Sequence, residues 1–286
     1  MNQGTVFYKM TGSGNDFVML DGRYVRAGEL TPGAITAICD RRLGIGADGV
    51  ALLEPSSEDP GVHFRFHFWN SDGSPGPMCG NAALCATRLA TLLELAPGAG
   101  DIRFSTASGV HEGRAVGQGD DAEIRLPDCP APKPLPGVQT VPGEEAPMLV
   151  QPSVPHLVLR VKNVEKVAIG DRGPSLRRDP ALGPGGANVN WVSPKGDGSW
   201  RMRTFERGVE GETLACGTGA VACALALAAQ KNAKPPVCIL TSSGLPLVVS
   251  WESASSTATS VRLTGEARLV YRGILGSLVS QNMTTN

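Results

Sequence analysis

The sequence lacks the features that mark several specialised classes of protein. No apolar run approaches the roughly 20 residues that a membrane span requires, and residues 1–4 lack the basic and apolar regions of a secretory signal. The formal net charge is only −1, which gives no electrostatic basis for binding nucleic acid or an anionic membrane. We therefore expect a cytoplasmic protein that has neither nucleic-acid nor membrane partners.

The cysteine pattern also excludes the commonest structural uses of sulfur. Seven cysteines are an odd number, and none are spaced as CxxC pairs, which argues against a disulfide framework or a structural zinc site. His63 and His67 alternate with Phe64, Phe66 and Phe68, a pattern typical of a strand with the phenylalanines inward and the histidines outward. The sequence therefore predicts no metal site.

Two glycine motifs resemble dinucleotide-binding fingerprints only in part. Residues 44–49 fit GxGxxG, but Asp40-Arg41-Arg42 precedes them where a hydrophobic strand should lie. Residues 217–222 fit GxGxxA and open a helix, but no acidic residue follows near position 242 to bind a ribose. We therefore expect no nucleotide cofactor.

Length and composition indicate two domains rich in strands. A chain of 286 residues suits two domains of about 130 to 140 residues each. Its 36 glycines and 22 prolines separate short apolar runs, as in proteins with many strands and turns. We expect a first domain over residues 1–130, a proline-rich connection over 127–143, and a second domain over 131–272. The tail, 273–286, is free to pack back on the first domain, and its last residues, 280–286, are expected to fray.

Helices are predicted at three places and strands at many. The helices cover residues 31–40, 80–95 and 217–230, of which the last two are apolar on nearly all sides and so belong inside a domain. The strands are predicted at residues 5–10, 16–21, 50–54, 62–69, 102–106, 110–116, 123–126, 148–151, 156–161, 188–192, 200–205, 237–241, 247–251, 260–263 and 267–271.

An internal repeat is the most informative feature of the chain. Its two copies begin at Cys79-Gly80-Asn81-Ala82-Ala83-Leu84 and at Cys216-Gly217-Thr218-Gly219-Ala220-Val221. Arg125 follows Cys79 by 46 residues, and Arg262 follows Cys216 by the same interval. This fixed offset indicates a duplication that gives two related halves, each with a cysteine at the start of a buried helix.

Cysteines in this position suit proton transfer on both sides of one carbon atom. The free N–H groups and the positive dipole end of a helix stabilise a thiolate, and they also bind a carboxylate. If Cys79 and Cys216 flank the α-carbon of a bound amino acid, one thiolate removes the α-proton and the opposite thiol returns a proton to the other face. Such inversion requires neither pyridoxal nor a metal. The alternative, that a buried cysteine is only a small hydrophobic residue, is preferred for Cys39, Cys85, Cys129, Cys223 and Cys238.

Six motifs in order resemble diaminopimelate epimerases, over essentially the whole chain. They are Thr11-Gly12-Ser13-Gly14-Asn15-Asp16-Phe17, Asn70-Ser71-Asp72-Gly73-Ser74, Met78-Cys79-Gly80-Asn81, Asn188-Val189-Asn190, Glu206-Arg207-Gly208 and Ala215-Cys216-Gly217-Thr218-Gly219-Ala220. The resemblance implies an α/β (α+β) fold of two pseudo-symmetric domains, each a curved, mainly antiparallel sheet wrapped around a central helix. It further implies a cofactor-independent isomerase that interconverts LL- and meso-2,6-diaminopimelate in lysine and peptidoglycan precursor synthesis, and a homodimer.

The resemblance also implies a role for each matching residue. Cys79 and Cys216 would be the acid/base pair, and His156 would help to order the reacting centre. Substrate contacts would come from Asn15, Asn70, Gly80, Asn81, Asn188, Glu206, Arg207, Gly217 and Thr218, with Glu206 also supporting catalysis. Taken from the residues alone, Asn15 and Asn70 would rather be turn-forming asparagines beside glycine, and Arg207 a solvated surface arginine.

Three departures from the family pattern bear on the substrate. Val154, Leu84 and Gly49 stand where relatives often have asparagine, arginine and glutamine. They leave open a racemase of another amino acid, of histidine or proline type, on the same fold. A non-catalytic thiol switch or ligand-binding protein is the alternative of a different class. Because the halves are alike, the sequence does not indicate which cysteine is the base for which isomer.

Overall fold

The computed structural model describes residues 4–56, 59–76, 78–254 and 256–276. The chain forms two compact units, one of Met1–Ile124 with Gly265–Asn286 and one of Arg125–Thr264. The domain bounds predicted from the sequence are 1–130 and 131–272, and they remain a prediction. The expected fraying of residues 280–286 lies outside the described residues.

In the part of the chain that the structure describes, the secondary structure consists of strands, four α-helices and short 3-10 helices. The α-helices are α1 (Pro32–Cys39), α2 (Gly80–Leu92), α3 (Ile169–Arg177) and α4 (Gly217–Ala229). The strands are β1 (Val6–Gly12), β2 (Asn15–Asp21), β3 (Gly49–Pro55), β4 (Phe64–Asn70), β5 (Pro75–Gly76), β6 (Ile102–Thr106), β7 (Gly109–Val116), β8 (Asp121–Arg125), β9 (Cys129–Pro130), β10 (Lys133–Pro134), β11 (Glu145–Val150), β12 (His156–Arg160), β13 (Asn188–Pro194), β14 (Trp200–Glu206), β15 (Gly211–Thr213), β16 (Val237–Leu240), β17 (Pro246–Ala254), β18 (Thr257–Glu266) and β19 (Arg268–Ile274).

The first unit is a mixed sheet in which each parallel pair is bridged by a helix. β1 pairs antiparallel with both β19 and β2, β2 pairs parallel with β3, and β3 pairs antiparallel with β4. β4 then pairs parallel with β6, which continues antiparallel through β7 to β8. Parallel neighbours need a long crossover, and α1 and α2 lie in the β2–β3 and β4–β6 connections respectively.

The second unit repeats this order of pairings. β11 pairs antiparallel with β12, β12 parallel with β13, and β13 antiparallel with β14. β14 pairs parallel with β16, which pairs antiparallel with β17. α3 and α4 occupy the two parallel crossovers, as α1 and α2 do in the first unit. The backbone topology therefore carries the duplication that the sequence indicates.

Each unit buries one helix almost completely. Residues 81–87 of α2 and residues 219–227 of α4 are all buried. α2 packs against β1–β4, β7 and β19, and α4 packs against β11–β14, β16 and β17. The alanine-rich sequences allow this close approach of helix and sheet. The expected fold class, a sheet around a central helix in each half, is confirmed.

A second, smaller core covers the other face of each sheet. In the first unit, Val18, Leu20, Val50 and Leu52 pack with Ile35 and Ile38 of α1. Their strand neighbours point to the opposite face, towards α2, and they are buried as well. In the second unit, Leu157, Val189 and Trp191 form the equivalent cluster with Ile169 and Leu176 of α3. Burial on both faces explains why these strands are continuous apolar runs.

Most elements begin and end within a few residues of the predictions, but some were missed. α3 was not predicted, because Gly170 and Pro174 within it are typical of turns and its sequence has little apolar periodicity. The alternation around His67 is confirmed, since Phe64, Phe66 and Phe68 are buried and His67 is only half-buried. No helix within the described ranges is long and apolar enough to cross a membrane.

Leu84 tests the importance of the buried helix for stability. Its side chain is fully buried in α2, so Leu84→Ala leaves a cavity and should lower the free energy of unfolding by about 2 to 5 kcal/mol. Leu92→Ala, in the last turn of the same helix where the side chain is 49% exposed, is the matched control and should cost about 1 kcal/mol or less. Urea unfolding followed by circular dichroism measures both. Equal losses in the two variants would contradict a tightly packed central helix.

Candidate active site

Cys79 and Cys216 occupy the same position in the two units. Each is the N-cap residue of its helix and has extended backbone dihedrals, with φ/ψ of −119°/121° at Cys79 and −133°/108° at Cys216. Each cysteine carbonyl accepts the first intrahelical hydrogen bond, from Ala83 and Ala220 respectively. The N–H groups of the first turn have no partner within a helix. Both sulfur atoms therefore lie beside peptide donors and the positive end of a helix dipole.

In the first unit, Asn81 joins the start of α2 to Asn15. Asn81 is buried, and its Nδ2 donates to Asn15 Oδ1 at 2.8 Å. Asn15 Nδ2 in turn donates to Asp48 Oδ2 at 2.9 Å. These two bonds fix the orientation of the Asn15 amide. The structure thus brings together Asn15, Asn81, Gly80 and Cys79, four of the residues that the sequence singled out.

A cluster of charged side chains anchors this asparagine pair. Arg41 Nη2 lies 2.7 Å from both Asp48 Oδ1 and Asp16 Oδ1. Lys9, which is buried, pairs with Asp16 at 2.6 Å and also donates to the carbonyl of Gly46. The hydrogen bonds from Arg41 and Lys9 outweigh partial burial and lower the pKa of Asp16. Asp16 therefore remains ionised near neutral pH, and the ion pairs that Arg41 makes with Asp16 and Asp48 hold the loop that carries Asp48.

Asn70 lies opposite Gly49 in the β3–β4 ladder, one residue along from Asp48, and its side chain has a hydrogen-bond partner of its own. It is exposed at the end of β4, and its Nδ2 donates to Ser74 Oγ at 3.0 Å within a tight turn. The backbone N–H of Gly73 donates to the Asn70 carbonyl in the same turn. This is the turn-forming role that glycine-flanked asparagine favours.

In the second unit, five of the predicted residues form one chain of contacts. Asn188 Oδ1 accepts the N–H of Arg207 at 2.8 Å, and Asn188 Nδ2 lies 3.4 Å from His156 Nε2. His156 Nε2 lies 3.0 Å from Thr218 Oγ1, which lies 3.6 Å from Cys216 Sγ. His156 is fully buried and Cys216 is 7% exposed. The contacts thus run from Arg207, just after β14, through side chains of β13 and β12, to the Cys216 thiol at the start of α4.

Burial sets the protonation of two groups in this region. It lowers the pKa of His156 to about 3, so its imidazole is neutral in the folded protein. Burial raises the pKa of Glu206, so this carboxyl keeps its proton to a higher pH than an exposed glutamate does. Neighbouring Arg207 is half-buried, and its Nη1 lies 3.4 Å from the carbonyl oxygen of Gly185.

Three of the other cysteines, Cys39, Cys85 and Cys223, have the environment of inert core residues. All seven cysteines are thiols. Burial raises the pKa of Cys39 to about 11, and it raises those of Cys85 and Cys223 well above the ordinary value. A thiol that does not ionise is neither a base nor a nucleophile.

Two of the three departures from the family pattern lie in packed surroundings. Leu84 is fully buried within α2. At Gly49, a Cβ atom would lie 2.6 Å from the carbonyl oxygen of Trp69 and 2.8 Å from the ring of Phe68, so the position has no room for a side chain. Val154 is half-buried two residues before His156.

A family model for diaminopimelate epimerase matches residues 7–123 and 148–270, one segment in each repeated half. The chain is 44% identical over 280 residues to a diaminopimelate epimerase of Gemmatimonas aurantiaca, covering 95% of this chain and 99% of that protein. It is 37% identical over 282 residues to the diaminopimelate epimerase of Aquifex aeolicus, covering 96% and 98%. The chain belongs to the diaminopimelate epimerase family.

Solved structures extend the likeness of this family member at the level of the fold. A phenazine biosynthesis protein of the PhzF family from Bacillus anthracis matches with a TM-score of 0.72 at 14% identity, over 96% of this chain and 99% of that one. A hydroxyproline epimerase from Agrobacterium vitis matches with a TM-score of 0.64 at 15% identity, over 99% and 96%. Such low identities show a shared fold alone.

Several residues that support the site of this diaminopimelate epimerase family member are not predicted from its sequence. Asp48, Arg41 and Lys9 hold Asn15 in place, but their positions along the chain carry no signal that they meet. Asn190 belongs to the Asn188-Val189-Asn190 motif, but only Asn188 has a predicted role there. A signal did exist, because a polar residue two positions after Asn188 in an apolar strand lies on the same buried face and needs a partner there.

The neutral state of His156 predicts a specific dependence of stability on pH. The folded-state pKa, about 3, lies below the ordinary 6.5, so the unfolded chain binds a proton that the folded protein excludes. This stabilisation is complete above pH 6.5 and is lost as the pH falls from there towards 3, reaching a loss of about 2 kcal/mol at a pH of about 5.

His156→Gln should not show this loss. The difference in the free energy of unfolding between wild type and variant should therefore shrink by about 2 kcal/mol between a pH of about 8 and a pH of about 5. Urea unfolding at both values measures it, and other titrating groups cancel because both proteins contain them. A constant difference would contradict a buried, neutral His156.

Proposed function

We propose that this chain interconverts LL- and meso-2,6-diaminopimelate by proton transfer at one α-carbon, a step of lysine biosynthesis. The observation that carries the proposal is the pair of cysteine-capped helices, one in each repeated unit, in a chain of this family. We place the reaction in the cytoplasm. Neither a metal nor an organic cofactor has a role in the scheme.

Cys79 and Cys216 are the proposed acid/base pair. One sulfur, as the thiolate, takes the α-proton and becomes a thiol. The other, as the thiol, delivers its proton to the opposite face of the planar carbon and becomes a thiolate. The number of protons is conserved, and the two cysteines exchange roles in the reverse direction. Their N-cap positions support the proposal, because helix N-termini favour thiolates.

The reacting carboxylate is assigned to the first turns of the two helices. Its negative charge increases as the α-carbon becomes planar, and fixed N–H donors stabilise that charge where it develops. The proposed donors are the N–H groups of Gly80 and Asn81 in one unit and of Gly217 and Thr218 in the other.

The remaining polar residues are assigned to the distal end of the substrate. Asn188 and Arg207 support this role together, because the amide of one accepts the backbone N–H of the other. A guanidinium binds a carboxylate with two parallel hydrogen bonds, and Arg207 would bind the distal carboxylate in this way. Asn15, Asn70 and Glu206 complete the proposed set, with Glu206 also assisting catalysis through its raised pKa.

A solvent-exchange assay tests the proposal directly. In deuterated water with reductant, LL-diaminopimelate should give meso product with deuterium at one α-carbon, as measured by mass spectrometry and NMR. Cys79→Ala and Cys216→Ala should each abolish epimerisation, with a loss of at least about 1,000-fold, because each variant lacks one of the two proton carriers. A single variant can still exchange the α-proton on one face.

Cys85→Ala and Cys223→Ala are the matched controls, since they make the same change within the same two helices. Both should retain epimerisation. Epimerisation by Cys79→Ala or Cys216→Ala would contradict the two-base scheme. Deuterium uptake by histidine or proline, without uptake by diaminopimelate, would favour the racemase alternative. The persistence of a ligand-binding or redox signal without any exchange would favour the thiol switch.

We also propose a homodimer. Side chains of β19 support it, because Val270, Tyr271 and Ile274 are 46%, 45% and 71% exposed. Ile274→Glu should halve the mass measured by sedimentation equilibrium, since a charge in an apolar interface is costly. Leu43→Glu, at a position 66% exposed in the same unit, is the control and should remain a dimer. A monomeric wild type would contradict this proposal and leave the chemical one intact.

A further inference from the structure

Both nitrogens of the buried His156 ring have polar neighbours, and the neighbours determine where its single hydrogen lies. Nδ1 lies 3.0 Å from Asn190 Nδ2, and Nε2 lies 3.0 Å from Thr218 Oγ1. A neutral imidazole donates from one nitrogen and accepts at the other. The orientation of the Asn190 amide therefore decides what His156 offers to Thr218.

Two contacts fix that amide. Asn190 Nδ2 also lies 3.2 Å from the carbonyl oxygen of Leu157, which only accepts hydrogen bonds. At the other end, Asn190 Oδ1 accepts from the hydroxyl of Thr204 at 2.9 Å. Asn190 is fully buried and Thr204 is 2% exposed, so water does not compete for these bonds. The –NH2 group therefore faces His156 Nδ1.

Because Asn190 donates to Nδ1, the hydrogen of the neutral ring lies on Nε2. Nε2 has a second neighbour, the –NH2 group of Asn188 at 3.4 Å, which faces the ring because Asn188 Oδ1 accepts the N–H of Arg207. Asn190 Nδ2 lies closer to Nδ1, at 3.0 Å, and a neutral ring accepts at only one nitrogen. The shorter contact therefore places the lone pair on Nδ1 and the hydrogen on Nε2, where Thr218 Oγ1 at 3.0 Å accepts it.

The hydrogen on Nε2 has a consequence at Cys216. Nε2–H donates to Thr218 Oγ1, and the hydroxyl hydrogen of Thr218 is then available to Cys216 Sγ at 3.6 Å. A hydroxyl that accepts one hydrogen bond is a stronger donor in the next. In the opposite tautomer, Nε2 would take the hydroxyl hydrogen and leave a lone pair of Oγ1 facing the sulfur.

We propose that Asn190 is a positioning residue that holds His156 in the Nε2–H tautomer, so that Thr218 donates a hydrogen bond to the Cys216 thiolate. The inference rests on the proposed function and deepens it, since it names what stabilises one of the two proton carriers. Asn190 touches neither the sulfur nor, in the proposed scheme, the substrate. It acts through His156 and Thr218.

Close packing at Gly219 supports this arrangement. A Cβ atom there would lie 2.6 Å from Asn190 Oδ1 and 3.2 Å from Cys216 Sγ. The first turn of α4 thus lies directly over both the asparagine amide and the thiol. The absence of a side chain at this position lets Cys216 and the Asn190–His156 pair share one small volume.

The first test reads the tautomer without using activity. Long-range proton–nitrogen NMR of protein labelled in the histidine rings distinguishes Nε2–H from Nδ1–H, and loss of a signal in His156→Gln assigns the resonance. Wild type should show His156 as the Nε2–H tautomer alone. Asn190→Leu removes the donor to Nδ1 and should give a substantial Nδ1–H population. Nδ1–H in wild type, or an unchanged ring in Asn190→Leu, would overturn the proposal.

The second test reads the effect on the thiolate. Asn190→Leu should lower kcat by about 10- to 100-fold, the usual effect of losing one hydrogen bond to a charged group, with KM little changed. The acid limb of the pH profile of kcat should move up by about one pH unit. If Asn190 had a purely structural role, the variant would contain less folded enzyme, but the folded enzyme would keep the wild-type pH profile of kcat. An acid limb at the wild-type pH would therefore overturn the proposal.

A double-mutant cycle tests whether the effect passes through Thr218. Thr218→Val removes the hydroxyl, whereas Thr218→Ser keeps it. The kcat of Thr218→Ser should be at least about tenfold higher than that of Thr218→Val. Adding Asn190→Leu to Thr218→Val should cause little further loss, because the relay is already broken. Full additivity of the two losses would show that Asn190 acts by another route, against the proposal.

Thr204→Val is a milder substitution for use if Asn190→Leu does not fold. It removes the donor that holds Asn190 Oδ1, so the His156 tautomer and the acid limb of the pH profile should shift in the same direction as in Asn190→Leu. The kcat should fall by several-fold. Thr241→Val, at an equally buried threonine of the same unit, is the control and should change neither. If the wild type showed no epimerisation, the tautomer experiment would still stand, so failure of the proposed function and failure of this inference are distinguishable.

Discussion

The burial of one alanine-rich helix in each unit is the constraint on which the candidate site depends. In any α-helix the unsatisfied N–H groups lie at the first turn. Because sheet covers the sides of these two helices, the first turn is the part of each helix that can bind a ligand. Any residue at the N-cap then shares this small, electropositive region. In this chain that residue is cysteine in both units, and the placement of both thiols follows from the packing of α2 and α4.

The two units have kept this geometry and changed what surrounds it. In the first, Asn81 and Asn15 are held by ion-paired side chains, with Arg41 and Lys9 paired to Asp48 and Asp16. In the second, the half-buried hydroxyl of Thr218 lies between Cys216 and the buried, neutral His156. A duplicated scaffold has therefore been given one charged and one uncharged support.

Local signals were enough to predict the start of α2 and α4, because a Cys-Gly step precedes an alanine-rich run, and alanine strongly favours the α-helix. They were also enough for most strands, whose apolar runs are long and bounded by glycine or proline. α3 was missed because its local sequence resembles a turn, and it is stabilised by its packing against Trp191 and Phe205. The role of Asp48 could not be predicted, and for Asn190 the sequence indicates a buried polar group without its partner, since each role depends on which residue a distant strand brings next to it.

The pairing of β1 with β19 has a consequence for the order in which the molecule is made. Val6 lies opposite Ile274 in the sheet, so the first unit lacks one of its strands until residue 274 has left the ribosome. The second unit, Arg125–Thr264, is continuous and needs nothing from the ends of the chain. Non-local contacts of this kind slow folding because a long loop must close first. The second unit can therefore complete its folding before the first, although it comes later in the sequence.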